Sequence, residues 1–291
     1  MHVTDANIVL DDIADVGCSS IELDYRIKKQ ELEKIRKRLL SDAWTVHTVH
    51  NPCPSPTGNS PRPWRDAELS ATDSGERKTA VKWGIGSLEL AADLGASLVV
   101  FHLGFVDIDP ELDKFRAFYH SGQIGTREWS DFYDNKLSER HAAASPYVDA
   151  VLHSIDALNN RAVKLGVLIG VETRLHFHEI PFKDEFHMIF DKFDGGQLRY
   201  WHDVGHGEVL HRLGFIDHEK DLLERYKDRL AGFHIHDVNG LTDHLAPGQG
   251  DFDFQKLLPY FSTNTIPVLE VHEADAVELS RGIELLHDLG L

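Results

Sequence analysis

The sequence predicts an α/β fold, a parallel (β/α)8-type TIM barrel, and three observations predict it. Short apolar, β-branched runs alternate with longer segments of helical periodicity over the whole chain, as in a parallel sheet with crossover helices. Each run passes into polar residues at its C-terminal end, where parallel barrels carry their active sites. No Gly-rich phosphate loop follows an early strand, which argues against an open doubly wound sheet.

The elements follow in order. Residues 1–9 are polar and short, so the first of eight strands is expected to be degraded or missing. A helix is expected at 11–16. Seven strand runs are clear: 20–25 (SIELDY), 44–50 (WTVHTVH), 96–104 (ASLVVFHLG), 166–173 (GVLIGVET), 197–206 (QLRYWHDVGH), 230–237 (LAGFHIHD) and 266–272 (IPVLEVH). Their length and composition suit buried parallel strands. Helical spacing of apolar residues marks 30–40, 76–94, 145–165, 184–193, 218–228, 254–261 and 275–289. Gly95 and Gly166 stand where two of these helices stop. Residues 51–73, rich in Pro, Ser and Asn, read as an irregular crossing. Residues 105–142 exceed an ordinary connection and carry Phe115, Phe118, Tyr119, Trp129, Phe132 and Tyr133. That length and aromatic content predict an ordered lid. No linker or second domain interrupts residues 1–291, so one barrel domain is expected.

Composition removes several classes of function. The net charge of −18 opposes the positive field that nucleic acids and anionic lipids require. The compact basic pieces are 26–38, which reads as a solvated helix face, and 61–65. No run of 18 apolar residues marks a membrane span, and the N-terminus lacks signal-peptide character. Cys18 and Cys53 have no CxxC partner and read as reduced thiols of a cytoplasmic protein. A homo-oligomer stays open.

The 19 histidines are the unusual count, because His is the commonest metal ligand. The strand ends carry Glu22 and Asp24, His47 and His50, His102, Glu172, Asp203 with His206, His234 with His236 and Asp237, and Glu270 with His272. Positions 172, 203, 234 and 270 recur at intervals of 31, 31 and 36 residues, about one strand–helix unit each. His234 and His236 share one strand face, as do Glu270 and His272. Buried carboxylates converging on a barrel mouth need pairing or a cation. Glu172, Asp203, His206, His234 and Glu270 together therefore point to a bound divalent metal. Zinc, manganese, iron and cobalt all suit mixed His and carboxylate ligands. His153, His176, His178, His187, His211, His218 and His287 fall on helices or loops and read as ordinary.

The segments HDVGH (202–206), FHIHD (233–237), DHLAPGQGDFDF (243–254) and VLEV (268–271) resemble the xylose isomerase-like barrel superfamily. This group holds sugar isomerases and epimerases together with apurinic endonucleases of the endonuclease IV type. The resemblance runs from about residue 11 to the C-terminus. The stretch ETRLHFHEIP (172–181) resembles members described as sugar phosphate isomerase/epimerase-like. The resemblance implies that Glu172, Asp203, His234 and Glu270 are the core metal ligands. It implies that His206 binds substrate or a second metal. His50, His102 and His244 match further zinc ligands of the endonuclease branch. That branch has an Asp two residues before the last His, where this chain has Thr242, with Asp243 adjacent; the resemblance thus implies one or two ions per chain. Gly248 and Gly250 match a loop that approaches the site.

The expected function is isomerisation or epimerisation of a small-molecule carbohydrate: a sugar, sugar phosphate or related polyol. Glu172 and Glu270 would be the acid and base, acting through a metal-stabilised enediolate. Arg174, sharing the parity of Glu172, and His236 are expected to bind substrate. The plainer role for Arg174 is a salt bridge to a rim carboxylate. The alternatives are a metal-dependent phosphodiester hydrolase of the apurinic endonuclease type, which the net charge opposes, and a lyase or dehydratase on an oxidised sugar.

Overall fold

The computed structural model describes residues 5–41, 43–56, 68–272 and 274–291. Helix α1 (Ala6–Asp15), capped by the Asp5 side chain, precedes strand β1 (Ser20–Leu23). Then come α2 (Lys29–Leu39), β2 (Thr45–His50), α3 (Ser74–Leu94) and β3 (Leu98–Phe101). α4 (Leu112–His120) and the 39-residue α5 (Arg127–Leu165) lead to β4 (Leu168–Glu172). The chain continues through α6 (Glu185–Lys192), β5 (Leu198–Asp203) and α7 (Val204–Arg212). A π-helical turn (His218–Leu223), the short α8 (Glu224–Tyr226) and a 3-10 turn (Lys227–Arg229) connect to β6 (Leu230–Ile235). A small antiparallel ribbon of β7 (Asp237–Asn239) and β8 (Thr242–Leu245), a 3-10 segment (Phe254–Tyr260), β9 (Ile266–Leu269) and α9 (Ala276–Leu289) finish the fold.

Seven strands form one parallel sheet in the order β1-β2-β3-β4-β5-β6-β9. Helices surround it, giving a nearly closed α/β barrel with one strand missing or degraded. Among the described residues no strand joins β1 to β9. The expected remnant of a first strand, 1–4, lies outside the described residues, as do much of the 51–73 crossing and the basic piece 61–65.

Alternation along each strand decides what faces the axis. Trp201, two residues before Asp203, is fully buried and packs with Leu98, Val100 and Ala231. Gly232 stands opposite: a Cβ there would lie 2.3 Å from the Trp201 ring. The indole thus plugs the barrel below its polar mouth. On the outer faces, Val49, Val99, Ile169 and Leu198 meet the helices in the main apolar core.

Residues 105–142 are ordered as α4 and the first part of α5. Their aromatics turn inward: Phe115 and Phe118 are buried, and Phe132 and Tyr133 pack against a cluster containing Phe177 and Phe215. The run expected as strand through 206 is corrected. β5 stops at Asp203, whose side chain accepts from the His206 backbone N–H and caps α7. The cap satisfies a helix-end donor and turns the chain at the barrel mouth. Both cysteines are free, Cys53 buried and Cys18 half-buried. Among the described residues no helix is long and apolar enough to cross a membrane.

Candidate metal centre

The inward-facing ends of the strands converge. His234 lies at the centre, with no solvent exposure. Its Nδ1 is 2.7 Å from Glu172 Oε1, 2.9 Å from Glu270 Oε2 and 3.7 Å from Asp203 Oδ2. The four ligand atoms of Glu172, Asp203, His234 and Glu270 all lie within 4.8 Å of one another. Atoms each about 2.0–2.2 Å from a shared ion stand about 3–3.5 Å apart.

Hydrogen-bond partners fix the free nitrogens. His234 Nε2 faces Glu22 Oε1 at 3.0 Å, so Nε2–H donates there. His50 Nδ1–H donates to the Asn51 carbonyl at 3.0 Å, and His206 Nδ1–H to the Thr173 carbonyl at 2.9 Å. With those bonds kept and no second ring proton, His234 would turn a bare Nδ1, and His50 and His206 a bare Nε2, toward carboxylate oxygens. His50 Nε2 is 3.7 Å from Glu172 Oε2, and His206 Nε2 is 4.0 Å from Asp243 Oδ2. A lone pair facing a carboxylate is repulsive unless a cation or proton lies between.

A proton on His234 Nδ1 can satisfy only one of its carboxylates. The titration behaviour reflects that strain. Burial pushes His234 down, but Glu270, Glu22 and Glu172 carry it well above the usual imidazole range. Burial raises Glu172 and Glu270, yet the facing imidazoles hold both carboxyls well below theirs. Asp203 is depressed likewise, with His206 and His236 outweighing burial. Asp203 Oδ2 is buried with no hydrogen-bond partner among the described residues. An orphaned buried carboxylate oxygen is costly, and an ion ligated by it relieves the cost. The donor set therefore fits a divalent metal.

Three further groups adjoin the centre among the described residues. His50, His102 and Glu172 form one; His102 Nε2 is 2.5 Å from Glu172 Oε2. Asp203, His206 and His244 form the second. Asp243, beside the Thr242 that departs from the endonuclease pattern, directs Oδ1 to His244 Nδ1 at 3.3 Å and buries an Oδ2 with no hydrogen-bond partner among the described residues. Burial opposes the charging of His244, but Asp243, Asp203 and Glu270 raise it to about 9. His244 is sandwiched between His236 and His272, with ring centroids 4.1 and 3.8 Å away. A third group joins His244, Glu270 and His272.

His236 and Arg174, the residues expected to bind substrate, both meet protein groups here. His236 has no exposure; its Nδ1 accepts the His244 backbone N–H at 2.8 Å, and its Nε2–H donates to Asp203 Oδ1 at 3.0 Å. Both of its nitrogens are thus engaged by the protein. Arg174 makes the salt bridges of the plainer role: 3.2 Å to Glu172 Oε2 and 2.8 Å to Glu179 Oε1. Its Nε stays unpartnered among the described residues. The glycine loop is held by Asp237, which accepts from the N–H groups of Gly248, Gly250 and Phe252.

A cavity of about 520 Å³ reaches His102 and Arg174, both of which contact Glu172. Tyr25, Trp83, His102, Phe105, Arg174 and His178 contribute to its wall. The resemblance assigns no role to Glu22, Glu179 or Asp243, although Glu22 stands among the strand-end residues of the sequence.

A parallel barrel with convergent strand-end carboxylates and imidazoles defines a TIM-barrel protein with a candidate metal centre. The family model described as xylose isomerase-like TIM barrel matches residues 10–265, and the chain belongs to that family. An uncharacterized protein of Sinorhizobium fredii, y4fM, is 26% identical over 243 residues, spanning 80% of this chain and 67% of that protein. Among solved structures, a D-tagatose 3-epimerase-like protein superposes with TM-score 0.66 at 18% identity, covering 99% of this chain and 94% of that one. The 3-keto-D-glucoside 4-epimerase YcjR of E. coli gives TM-score 0.66 at 13% identity, covering 98% and 95%. The fold is that of sugar epimerases.

Proposed function

We propose that the protein is a divalent-metal-dependent isomerase or epimerase of a sugar, sugar phosphate or related polyol. The observation that carries the reading is the buried set around His234 Nδ1, with the orphaned Asp203 Oδ2. Glu172, Asp203, His234 and Glu270 would hold the ion, and zinc, manganese, iron and cobalt all suit them. His50 and His102, with Glu172, offer a second position. The bound ion supplies Lewis-acid polarisation of a carbonyl and its adjacent hydroxyl.

The protein's own groups move the proton. Glu172 ends β4 and Glu270 follows β9, so in strand order they flank Asp203 and His234. One carboxylate would remove the C–H proton next to the carbonyl, and the other, protonated once substrate is bound, would give its proton to the opposite face, so that the pair ends with its protonation states exchanged. Arg174 steadies Glu172 through its Oε2. The buried Asp203 stays with the metal, held by His236 and the α7 N-terminus. Phe105 and Leu112 at the cavity wall limit water around the exposed carbanion equivalent. The solved relatives named as sugar epimerases support this reading at the level of fold.

The test is metal analysis with turnover. Purified protein should hold about one or two divalent ions per chain, and chelation should abolish proton exchange on a ketose panel in deuterated water. Full activity without metal would overturn the proposal. The groups on either side of the centre also favour a second reading, phosphodiester hydrolysis by several ions. Chelator-sensitive cleavage of an abasic-site oligonucleotide would select it.

A further inference from the structure

We propose that Glu22 is a positioning residue of the metal centre, presenting His234 Nδ1 as an unprotonated ligand. The inference rests on the metal-binding reading above. Glu22 lies on β1, across the barrel from His234 on β6, and its side chain is 9% exposed. Both of its oxygens are committed. Oε2 accepts from Thr48 Oγ1 at 2.7 Å, and Oε1 accepts from His234 Nε2–H at 3.0 Å. Thr48 is Glu22's register partner on β2, so the carboxylate is anchored by the strand pairing itself.

The two nitrogens of an imidazole point to opposite sides of its ring. Glu22 therefore cannot join Glu172, Asp203 and Glu270 around one ion; the His234 ring separates them. What it can do is keep the proton on Nε2. That leaves the Nδ1 lone pair aimed into the space between the three carboxylates. It also fixes the ring plane and raises the basicity of the ligand nitrogen. A buried carboxylate with no ligand function would be a cost without return. Here it completes a Thr–Glu–His relay in which every donor has one acceptor.

Zinc affinity, measured by competition with a chelating dye, reads the role directly. Glu22→Ala should weaken zinc binding about 10–100-fold. Glu22→Gln should weaken it less, since its carbonyl can still accept from Nε2–H, and Thr48→Val should fall between wild type and Glu22→Ala. In zinc-loaded wild type, long-range ¹H–¹⁵N spectra should show His234 protonated at Nε2. Hydrogen exchange in 20–23 should slow on zinc addition in wild type and less so in Glu22→Gln. Wild-type zinc affinity in both Glu22 variants, or a His234 ring protonated at Nδ1, would overturn the proposal. Should Glu22→Ala fail to fold, the wild-type spectrum decides. A wild-type chain that takes up no zinc, manganese or cobalt would instead overturn the metal-binding reading.

Discussion

At the scale of single residues, the proposed centre separates groups that would hold an ion from groups that position them. Glu270→Gln keeps an oxygen donor but removes the base, so turnover should fall about 10²–10⁴-fold while metal stays bound. Steady-state rates with metal analysis of the same sample check this. Glu179 offers a contrasting case. It pairs with the buried Arg174 and accepts from the His176 backbone N–H at 2.9 Å. Burial raises its carboxyl, but Arg174 and His176 hold it well below the usual range. Removing it leaves the buried guanidinium only its longer bond to Glu172, so Glu179→Ala should cost about 2 kcal/mol in urea denaturation. That Glu172, Asp203, His234 and Glu270 converge was legible because each lies at a strand end and within a motif of the resemblance. The partners of Glu179 and His236 were not, because side-chain contacts across the barrel leave no trace in spacing.

At the scale of elements, strand existence was legible and strand ends were not. All seven runs pair in the parallel sheet, yet the one expected to reach His206 ends at Asp203, because an Asp followed by two small or apolar residues caps a helix. The 105–142 segment hid its helices for a related reason. Its aromatics serve a second layer of core outside the barrel, so they interrupt the polar face expected of a surface helix. Within HDVGH, Gly205 has a physical duty: a Cβ there would fall 2.0 Å from His236 Cε1. Gly205→Ala should push the imidazole off Asp203 and weaken metal binding at least tenfold, with circular dichroism of the barrel preserved. Metal affinity equal to wild type would show that the helix entry and the centre are independent.

At the scale of the whole molecule, buried histidines set the response to acid. Behind β5, His218 Nδ1–H donates to Glu208 at 3.0 Å, so its Nε2 accepts from His202 Nε2–H at 3.0 Å. His202 Nδ1 in turn accepts from the Tyr200 hydroxyl at 2.6 Å. Burial lowers both histidines, His202 well below the usual range, and they stay neutral in the fold. The unfolded chain takes up these protons below about pH 6.5. Their contribution to stability should therefore shrink as pH drops below 6.5, by up to about 1.4 kcal/mol per pH unit for a histidine that stays neutral, with His202 foremost. His234 and His244, raised in the fold, act in the opposite sense above 6.5. Denaturant titrations of the chelated protein at pH 6.5 and 5.5 measure the slope, and His218→Leu should flatten it. Zinc at 100 times its dissociation constant should add about 2.7 kcal/mol to the native state.

The centre draws its groups from nearly every strand, and the Glu22–His234 bond alone joins residues 212 positions apart. During synthesis, a chain lacking its last strand still lacks Glu270. A half-made barrel would thus lack one ligand of the proposed centre, and capture of an ion at full affinity would wait until the final strand docks. The binding energy would then favour molecules whose last strand is in place.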